Sequence, residues 1–248
     1  MMSRWRAAGI HLSISLAIGL IVLALLFGLW YPPPYFRAAG ADELVILLVG
    51  VDLTLGPLLT LIVFKSGKKG LKLDLALIGF AQLAALVYGL SVVLATRPVF
   101  LVATVDHFSL VSANDLAADD LEQGKMPQFR TLSWTGPRLV GTARPSDPHE
   151  RSELLFSGLK GKDIDRLPKY YIDYSNDTAE VLSHAQSLDK LLPNDASAQR
   201  LADDWLREHG RDRASVVWLP IRARRHDLTM LVDAKTGIPL GAIAVNPW

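Results

Sequence analysis

The chain has 248 residues, of which 50% are hydrophobic, and its formal net charge is +1. It contains no cysteine, which excludes disulfide bonds, thiolate metal sites and cysteine nucleophiles. Lysine and arginine together number 26 against 25 for aspartate and glutamate, so no basic excess points to a nucleic-acid partner.

Three long apolar runs occupy the first hundred residues, at positions 9–31, 44–64 and 73–95. Each is about 20 residues long, which is enough to cross the hydrocarbon core of a bilayer as an α-helix. The first run is longer than the apolar region of a signal peptide, so we expect it to be an uncleaved anchor. The sequence therefore predicts three N-terminal transmembrane helices.

Basic residues flank these runs unevenly. Arg4 and Arg6 precede the first run, and four lysines lie in the segment 65–72 between the second and third runs. The segment 32–43, between the first two runs, holds one basic residue. The positive-inside rule predicts that the N-terminus and the lysine segment lie in the cytoplasm. We therefore expect two domains, a three-helix transmembrane region over residues 1–96 and a domain over residues 97–248 on the opposite side of the membrane.

Asp52 lies inside the second apolar run, where a carboxylate is costly unless it is protonated, hydrated or paired. Counting residues along the third run places Gln82 and Tyr88 within about one helical turn of the same depth, so either is a candidate hydrogen-bond donor. Pro57 has no N–H group and predicts a kink or local loosening beside Asp52. Two interpretations stay open: a polar clasp between helices, or a site that receives a polar group from another protein's transmembrane helix.

Beyond Arg97 the sequence predicts a domain of about 150 residues with both helices and strands. A β-hairpin is expected around Asp106-His107, and three strands are expected near the C-terminus. Helical patterns cover residues 148–159, 178–191 and 196–209, and the first of these places Leu154, Leu155 and Leu159 on a shared face. The pattern predicts an α+β fold with one antiparallel sheet and helices on one face.

The clearest charge cluster outside the apolar runs consists of Arg222, Arg224 and Arg225. Such a run is most often the solvated end of a hairpin. It can also meet an acidic partner or lipid headgroups, so the three arginines join Asp52, Pro57, Gln82 and Tyr88 as candidate partner-binding residues.

Short motifs of a serine enzyme are present but in the wrong order. Ser187-Leu188-Asp189-Lys190, Tyr174-Ser175-Asn176 and Lys235-Thr236-Gly237 match the motifs of penicillin-recognising enzymes. In those enzymes the serine motif comes before the asparagine motif, and their fold is much larger. The six histidines lack the spacing of metal ligands. We therefore predict no catalytic residue, no metal site and no cofactor.

Several segments together resemble type IV pilin accessory proteins of the TfpX/TfpZ (FimB-like) family. The segments that carry the likeness are residues 3–11, Trp30-Tyr31-Pro32, residues 51–64, Leu86-Val87-Tyr88-Gly89, Arg97-Pro98, residues 167–171 and Pro247-Trp248. The resemblance extends nearly from end to end. It implies an inner-membrane protein of Gram-negative bacteria that assists pilin stability, pilus assembly or pilus dynamics, with its C-terminal domain in the periplasm and pilin as its partner.

The leading prediction is thus a non-enzymatic accessory factor or chaperone for pilin, anchored in the lipid bilayer. One alternative is a membrane-anchored periplasmic ligand-binding sensor, although the cytoplasmic segments are too small for an output domain. A less favoured alternative is the envelope serine enzyme.

Overall fold

Three long helices begin the chain in the computed structural model, which describes residues 2–192 and 195–248. They are α1 (Arg4–Leu25, extended by a π-helical turn at Leu26–Trp30), α3 (Ala41–Val63) and α4 (Leu71–Ala95), with the short α2 (Tyr35–Ala38) between the first two. All three are long and apolar enough to cross a membrane. The prediction of three transmembrane helices is confirmed, and the chain is a membrane-anchored protein.

Local capping explains where these helices begin. The Ser3 side chain accepts a hydrogen bond of 3.2 Å from the Arg6 N–H and caps the start of α1. Gly40 and Gly70 precede α3 and α4 with φ angles of +76° and +85°, a left-handed conformation that favours glycine. Both α1 and α4 pack along α3, so α3 is the central helix of the bundle.

The C-terminal domain is built on an eight-stranded sheet, to which short helices are added. The strands are β1 (Pro98–Ala103), β2 (Phe108–Ser112), β3 (Arg138–Thr142), β4 (Tyr171–Ile172), β5 (Gln186–Ser187), β6 (Val216–Arg222), β7 (Leu228–Asp233) and β8 (Pro239–Ile243). The helices are α5 (Ala118–Glu122), α6 (Pro148–Leu159), α7 (Thr178–His184) and α8 (Ala196–Glu208). The strand order is β4-β3-β1-β2-β6-β7-β8, and β5 pairs with β6. The α+β class is confirmed.

The sheet is mixed, whereas the sequence predicted an antiparallel one. The hairpins β1–β2, β6–β7 and β7–β8 are antiparallel, as expected from their short connections. However, β1 runs parallel to β3, with Phe100 opposite Arg138, and β2 runs parallel to β6, with Phe108 opposite Ile221. These parallel pairs join strands that are distant in the sequence, so no local turn pattern indicates them.

Helices cover both faces of the sheet, not one face as predicted. Leu219 and Met230 belong to one hydrophobic cluster with Val181 of α7. Their neighbours along the strands, Trp218 and Leu231, point to the opposite face and pack in a second cluster with residues of α8. Because side chains alternate along a strand, the two clusters lie on opposite sides of the sheet.

Helix α7 is shorter than the sequence pattern predicted. It ends at His184, and the chain then becomes extended so that Gln186 and Ser187 pair with β6. Leu188 and Leu191 follow and are fully buried in the cluster beneath α8. Burial of these two leucines on the other side of the sheet is incompatible with continuing the helix.

The helical bundle and the C-terminal domain share one core. Leu26 and Val45 from the outer ends of α1 and α3 belong to the same cluster as Leu101 and Phe108 of the first hairpin. The face of the sheet that carries Leu101 and Phe108 is therefore the face that packs on the bundle.

Candidate functional site

A polar pair joins α3 and α4 within the bundle. The Gln82 side-chain amide donates a hydrogen bond of 2.7 Å to the Asp52 carboxylate, with a longer contact of 3.4 Å to the Asp52 carbonyl oxygen. The prediction that Gln82 lies at the depth of Asp52 is confirmed. Tyr88, the other predicted donor, is 73% exposed on the outside of α4. The structure thus brings Asp52 and Gln82 together and leaves Tyr88 apart from them.

Gly56 makes room for this pair. A Cβ atom at Gly56 would lie 2.0 Å from the Gln82 amide nitrogen, so a larger residue and the observed Gln82 position are incompatible. Pro57 follows, and α3 nevertheless continues as a helix to Val63. The missing N–H of Pro57 leaves the Leu53 carbonyl without its usual intrahelical donor. Gly56 and Pro57 therefore lie within about one and a half turns of Asp52 on a continuous helix.

All three long helices contribute to the surroundings of Asp52. A cavity of about 10 Å³ lies between them and is lined by Ser15 and Gly19 of α1, Asp52 of α3 and Leu86 of α4. Ser15 is buried, as small polar residues at the interfaces of transmembrane helices commonly are. Asp52 consequently faces the bundle interior, as carboxylates within membrane helices generally do.

A second polar contact ties α1 to α3 farther along the bundle. The His11 ring nitrogen Nδ1 lies 2.6 Å from the hydroxyl oxygen of Thr60, and Thr60 is buried. This contact is separate from the Asp52–Gln82 pair.

Tyr31 lies at the end of the bundle that adjoins the C-terminal domain. Its side chain is fully buried, and its hydroxyl donates a hydrogen bond of 2.7 Å to the Val93 carbonyl and lies 3.0 Å from the Thr96 hydroxyl. The exit of α1 is thereby fastened to the end of α4.

The β6–β7 turn docks on the segment that links α1 to α3. The Arg225 N–H donates to the Ala38 carbonyl at 3.0 Å, and the Arg225 guanidinium lies 2.5 Å from the Glu43 carboxylate. A Cβ atom at Gly40 would lie 2.7 Å from the Arg225 side chain. Sequence reasoning missed this junction. The sequence indicates it only through the opposite charges of Glu43 and Arg225. These two residues are 182 positions apart, so no local pattern pairs them.

The other arginines of the charge cluster have different surroundings. Arg224 donates to the Asn114 and Asp115 side chains at 2.9 Å. Arg222 lies over the Trp248 ring at 5.8 Å and lines a surface groove. The three arginines predicted as candidate partner-binding residues thus have different contacts, and both Arg222 and Arg224 line the groove.

The enzyme-like motifs do not assemble into a site within residues 2–192 and 195–248. Ser187 lies in β5 opposite Val217, and no described hydrogen bond joins it to Lys190 or Lys235. The N–H groups of Lys235 and Thr236 donate to the Asp233 carboxylate at 3.0 Å, which is ordinary hairpin-turn bonding. The same part of the chain contains no group of three or more potential metal-ligating residues.

Comparison with known proteins identifies the family to which the chain belongs. Residues 1–40 match the model of "Fimbrial assembly protein FimB". The fimbrial assembly protein of Dichelobacter nodosus serogroup I is 30% identical over 224 residues, which is 89% of this chain and 86% of the relative. The chain belongs to the FimB family of fimbrial assembly proteins.

Two further relatives are also named fimbrial assembly proteins. The fimbrial assembly protein of D. nodosus serogroup E1 is 33% identical over 186 residues, covering 74% of this chain and 72% of the relative. That of serogroups C1 and C2 is 37% identical over 121 residues, covering 48% of this chain and 92% of the relative. No solved structure matches the chain. The predicted resemblance to FimB-like proteins is confirmed.

Proposed function

We propose that this FimB-family chain is a non-enzymatic inner-membrane accessory factor or chaperone for type IV pilin, assisting pilin stability, pilus assembly or pilus dynamics. Its relatives are named fimbrial assembly proteins, which supports a role in pilus assembly. The observation that most supports pilin as the partner is the polar pair of Asp52 and Gln82 inside an apolar bundle.

The pair retains unused hydrogen-bonding capacity. The Gln82 side-chain oxygen is buried and accepts no hydrogen bond from any described residue. A buried acceptor without a donor is unfavourable, and more so at membrane depth, where water is scarce. A polar group on an incoming transmembrane helix would satisfy it. Before assembly, pilin is a membrane protein with one long apolar N-terminal helix, which is the kind of partner such a site would receive.

The junction between bundle and domain extends the proposal beyond the membrane. Because Arg225 fastens the domain to Ala38 and Glu43 of the bundle, the chain presents a membrane-depth site and an outer surface in a fixed relation. Pilin likewise has a membrane helix and a globular head. Two linked weak contacts gain affinity through effective concentration.

The charge distribution supports the orientation that this role requires. Six basic residues lie at the N-terminus and in the segment 65–72, and one lies in the segment between α1 and α3. We place the former in the cytoplasm and the C-terminal domain in the periplasm. A periplasmic reporter enzyme inserted at Gly67 should be inactive, and activity there would contradict the orientation.

Genetic complementation with a pulse–chase of pilin tests the function. Cells without this chain should lose surface pili or degrade pilin faster, and the intact chain should restore both. The variant Ser187→Ala should restore them equally, because no catalysis is assigned. Unchanged pilin lifetime and piliation without the chain would contradict the proposal, and failure of Ser187→Ala at normal abundance would favour the enzyme alternative.

A further inference from the structure

A large groove lies on the face of the sheet that points away from the bundle. Its volume is about 1050 Å³, and its floor includes Ser109 and Val111 of β2. These residues alternate with Phe108 and Leu110, which belong to the core shared with the transmembrane helices. Because alternate residues of a strand face opposite sides, the groove opens on the side opposite the bundle.

One wall of the groove is α6, whose apolar side chains are exposed. Leu155 is 72% exposed and Leu159 is 84% exposed, and α6 contains no buried residue. Helix α8 has nearly the same length and buries Ala202 and Leu206 against the sheet. The sequence predicted a shared apolar face on α6, and the structure leaves that face without a partner in the described chain. Contiguous exposed apolar surface of this kind marks interaction sites.

Five arginines and four aspartates line the groove, and one of the arginines, Arg151, lies on α6 itself. Arg224 is paired with Asp115 at 2.9 Å, and the Asp106 carboxylate contacts the His107 ring at 2.7 Å. The arginines of the lining that form no ion pair with any described residue are Arg144, Arg151, Arg166 and Arg222. The lining also holds Asp163 and Asp165, which likewise form no ion pair with any described residue, so unpaired arginines outnumber unpaired aspartates by two. An occupant with carboxylates opposite these guanidinium groups would complement the groove.

We propose that this groove binds an apolar segment bearing carboxylates on the globular part of the client protein. The inference rests on the proposed function, because it takes the client to be pilin. A protein segment fits better than lipid, since the groove lies on the sheet face remote from the transmembrane helices. The client is thus held at two places, at Asp52 within the membrane and at the α6 groove outside it.

Binding to the full chain in nanodiscs tests this directly. The probes are purified full-length pilin and the pilin head without its apolar helix. The head should bind the intact chain, and binding should weaken with rising salt because arginine–carboxylate pairs are screened. The double variants Leu155→Ser/Leu159→Ser and Arg151→Glu/Arg222→Glu should each weaken head binding roughly tenfold or more.

Matched controls lie on α8, away from the groove. Leu201 is also exposed, at 46%, and Arg200 is exposed without an ion pair to any described residue. Leu201→Ser and Arg200→Glu should not change head binding. Circular dichroism and limited proteolysis should show that the groove variants remain folded.

The outcomes separate this proposal from the proposed function. Equal head binding by the groove variants and the intact chain would overturn the groove proposal alone. Binding of full-length pilin without any binding of the head would do the same. Failure of both probes to bind would overturn the proposed function as well. A fluorophore on Leu155→Cys that brominated lipids quench would place α6 on the bilayer and refute a protein occupant.

Discussion

At the scale of single residues, Asp52 distinguishes a structural clasp from a receptor site. Asn at this position can still accept the hydrogen bond from Gln82 but carries no charge. If pilin offers a charged or strongly polar group, Asp52→Asn should leave this protein abundant and reduce both pilin capture and surface piliation. If Asp52 only clasps the bundle, Asp52→Asn should have little effect on either measurement.

Asp52→Leu removes the acceptor altogether and leaves the Gln82 amide unpaired. We expect about 1 kcal/mol of lost bundle stability and impaired function. Immunoblotting, pilin co-purification and counts of surface pili measure the effects. Normal capture and piliation by Asp52→Leu at unchanged abundance would rule out both roles of Asp52.

Asp177 gives a pH-dependent prediction in the C-terminal domain. Its carboxylate is buried and accepts a hydrogen bond of 3.1 Å from the Thr142 N–H. Burial raises the pKa of Asp177 above 3.8, and this outweighs the opposing effect of that hydrogen bond. The ionised form is therefore penalised in the folded state, and this penalty is fully present once the pH exceeds the raised pKa.

Asp177→Asn keeps an acceptor for Thr142 and removes the charge. At pH 7 the variant should be at least as stable as the parent chain in thermal unfolding. The difference should shrink as the pH falls through the raised pKa towards 3.8, because both side chains are then neutral. A variant that is clearly less stable than the parent at pH 7 would show that the charged form is favoured.

At the scale of elements, the contact between α3 and α4 depends on one glycine. A methyl group at Gly56 would displace the Gln82 amide, so Gly56→Ala should break its hydrogen bond to Asp52. We expect a loss of about 1 kcal/mol, partly offset by the better helix propensity of alanine. Gly50 is the matched control on the same helix, since its added Cβ would meet nothing within 4 Å.

Thermal unfolding in detergent, followed by circular dichroism, compares the two alanine variants. Gly50→Ala should be neutral or slightly stabilising, and Gly56→Ala should unfold at a lower temperature than Gly50→Ala. Equal midpoints would mean that the Asp52–Gln82 contact adds nothing to the bundle.

The elements also show what the sequence could and could not predict. The length of the apolar runs was sufficient to predict α1, α3 and α4, and the helical spacing of apolar residues was sufficient to predict α6. Both patterns are local in the sequence. The prediction that Gln82 lies at the same depth as Asp52 was possible because an α-helix has a fixed rise per residue. The pairings of β1 with β3 and of β2 with β6 depend on contacts between distant segments. The exposed face of α6 was missed because an apolar stripe does not reveal whether the chain covers it.

At the scale of the whole molecule, simultaneous contact with the membrane helix and the head of pilin requires the domain to be fixed to the bundle. Gly40 and Gly67 both have positive φ, at +76° and +80°, so a valine strains the backbone at either position. A Cβ at Gly40 would also collide with Arg225, whereas one at Gly67 would meet nothing within 4 Å. Comparing the two valine variants thus isolates the contact at the junction.

Gly40→Val should loosen the junction and increase proteolytic cleavage near residues 96–98, whereas Gly67→Val should not. Limited proteolysis of the outer domain in spheroplasts provides the measurement, with abundance checked by immunoblot. Identical cleavage patterns for the two variants would indicate that the Arg225 contact does not hold the domain in place.

We infer that pilin is received beside Asp52, and photo-crosslinking in living cells detects that contact itself. Leu55 lies one turn beyond Asp52 on the same side of α3, whereas Thr54 lies nearly opposite, and both are exposed. A photoreactive amino acid at position 55 should form an adduct with pilin, and one at position 54 should not. Asp52→Leu should reduce the adduct. Absence of a pilin adduct from position 55, or equal adducts from both positions, would contradict the account.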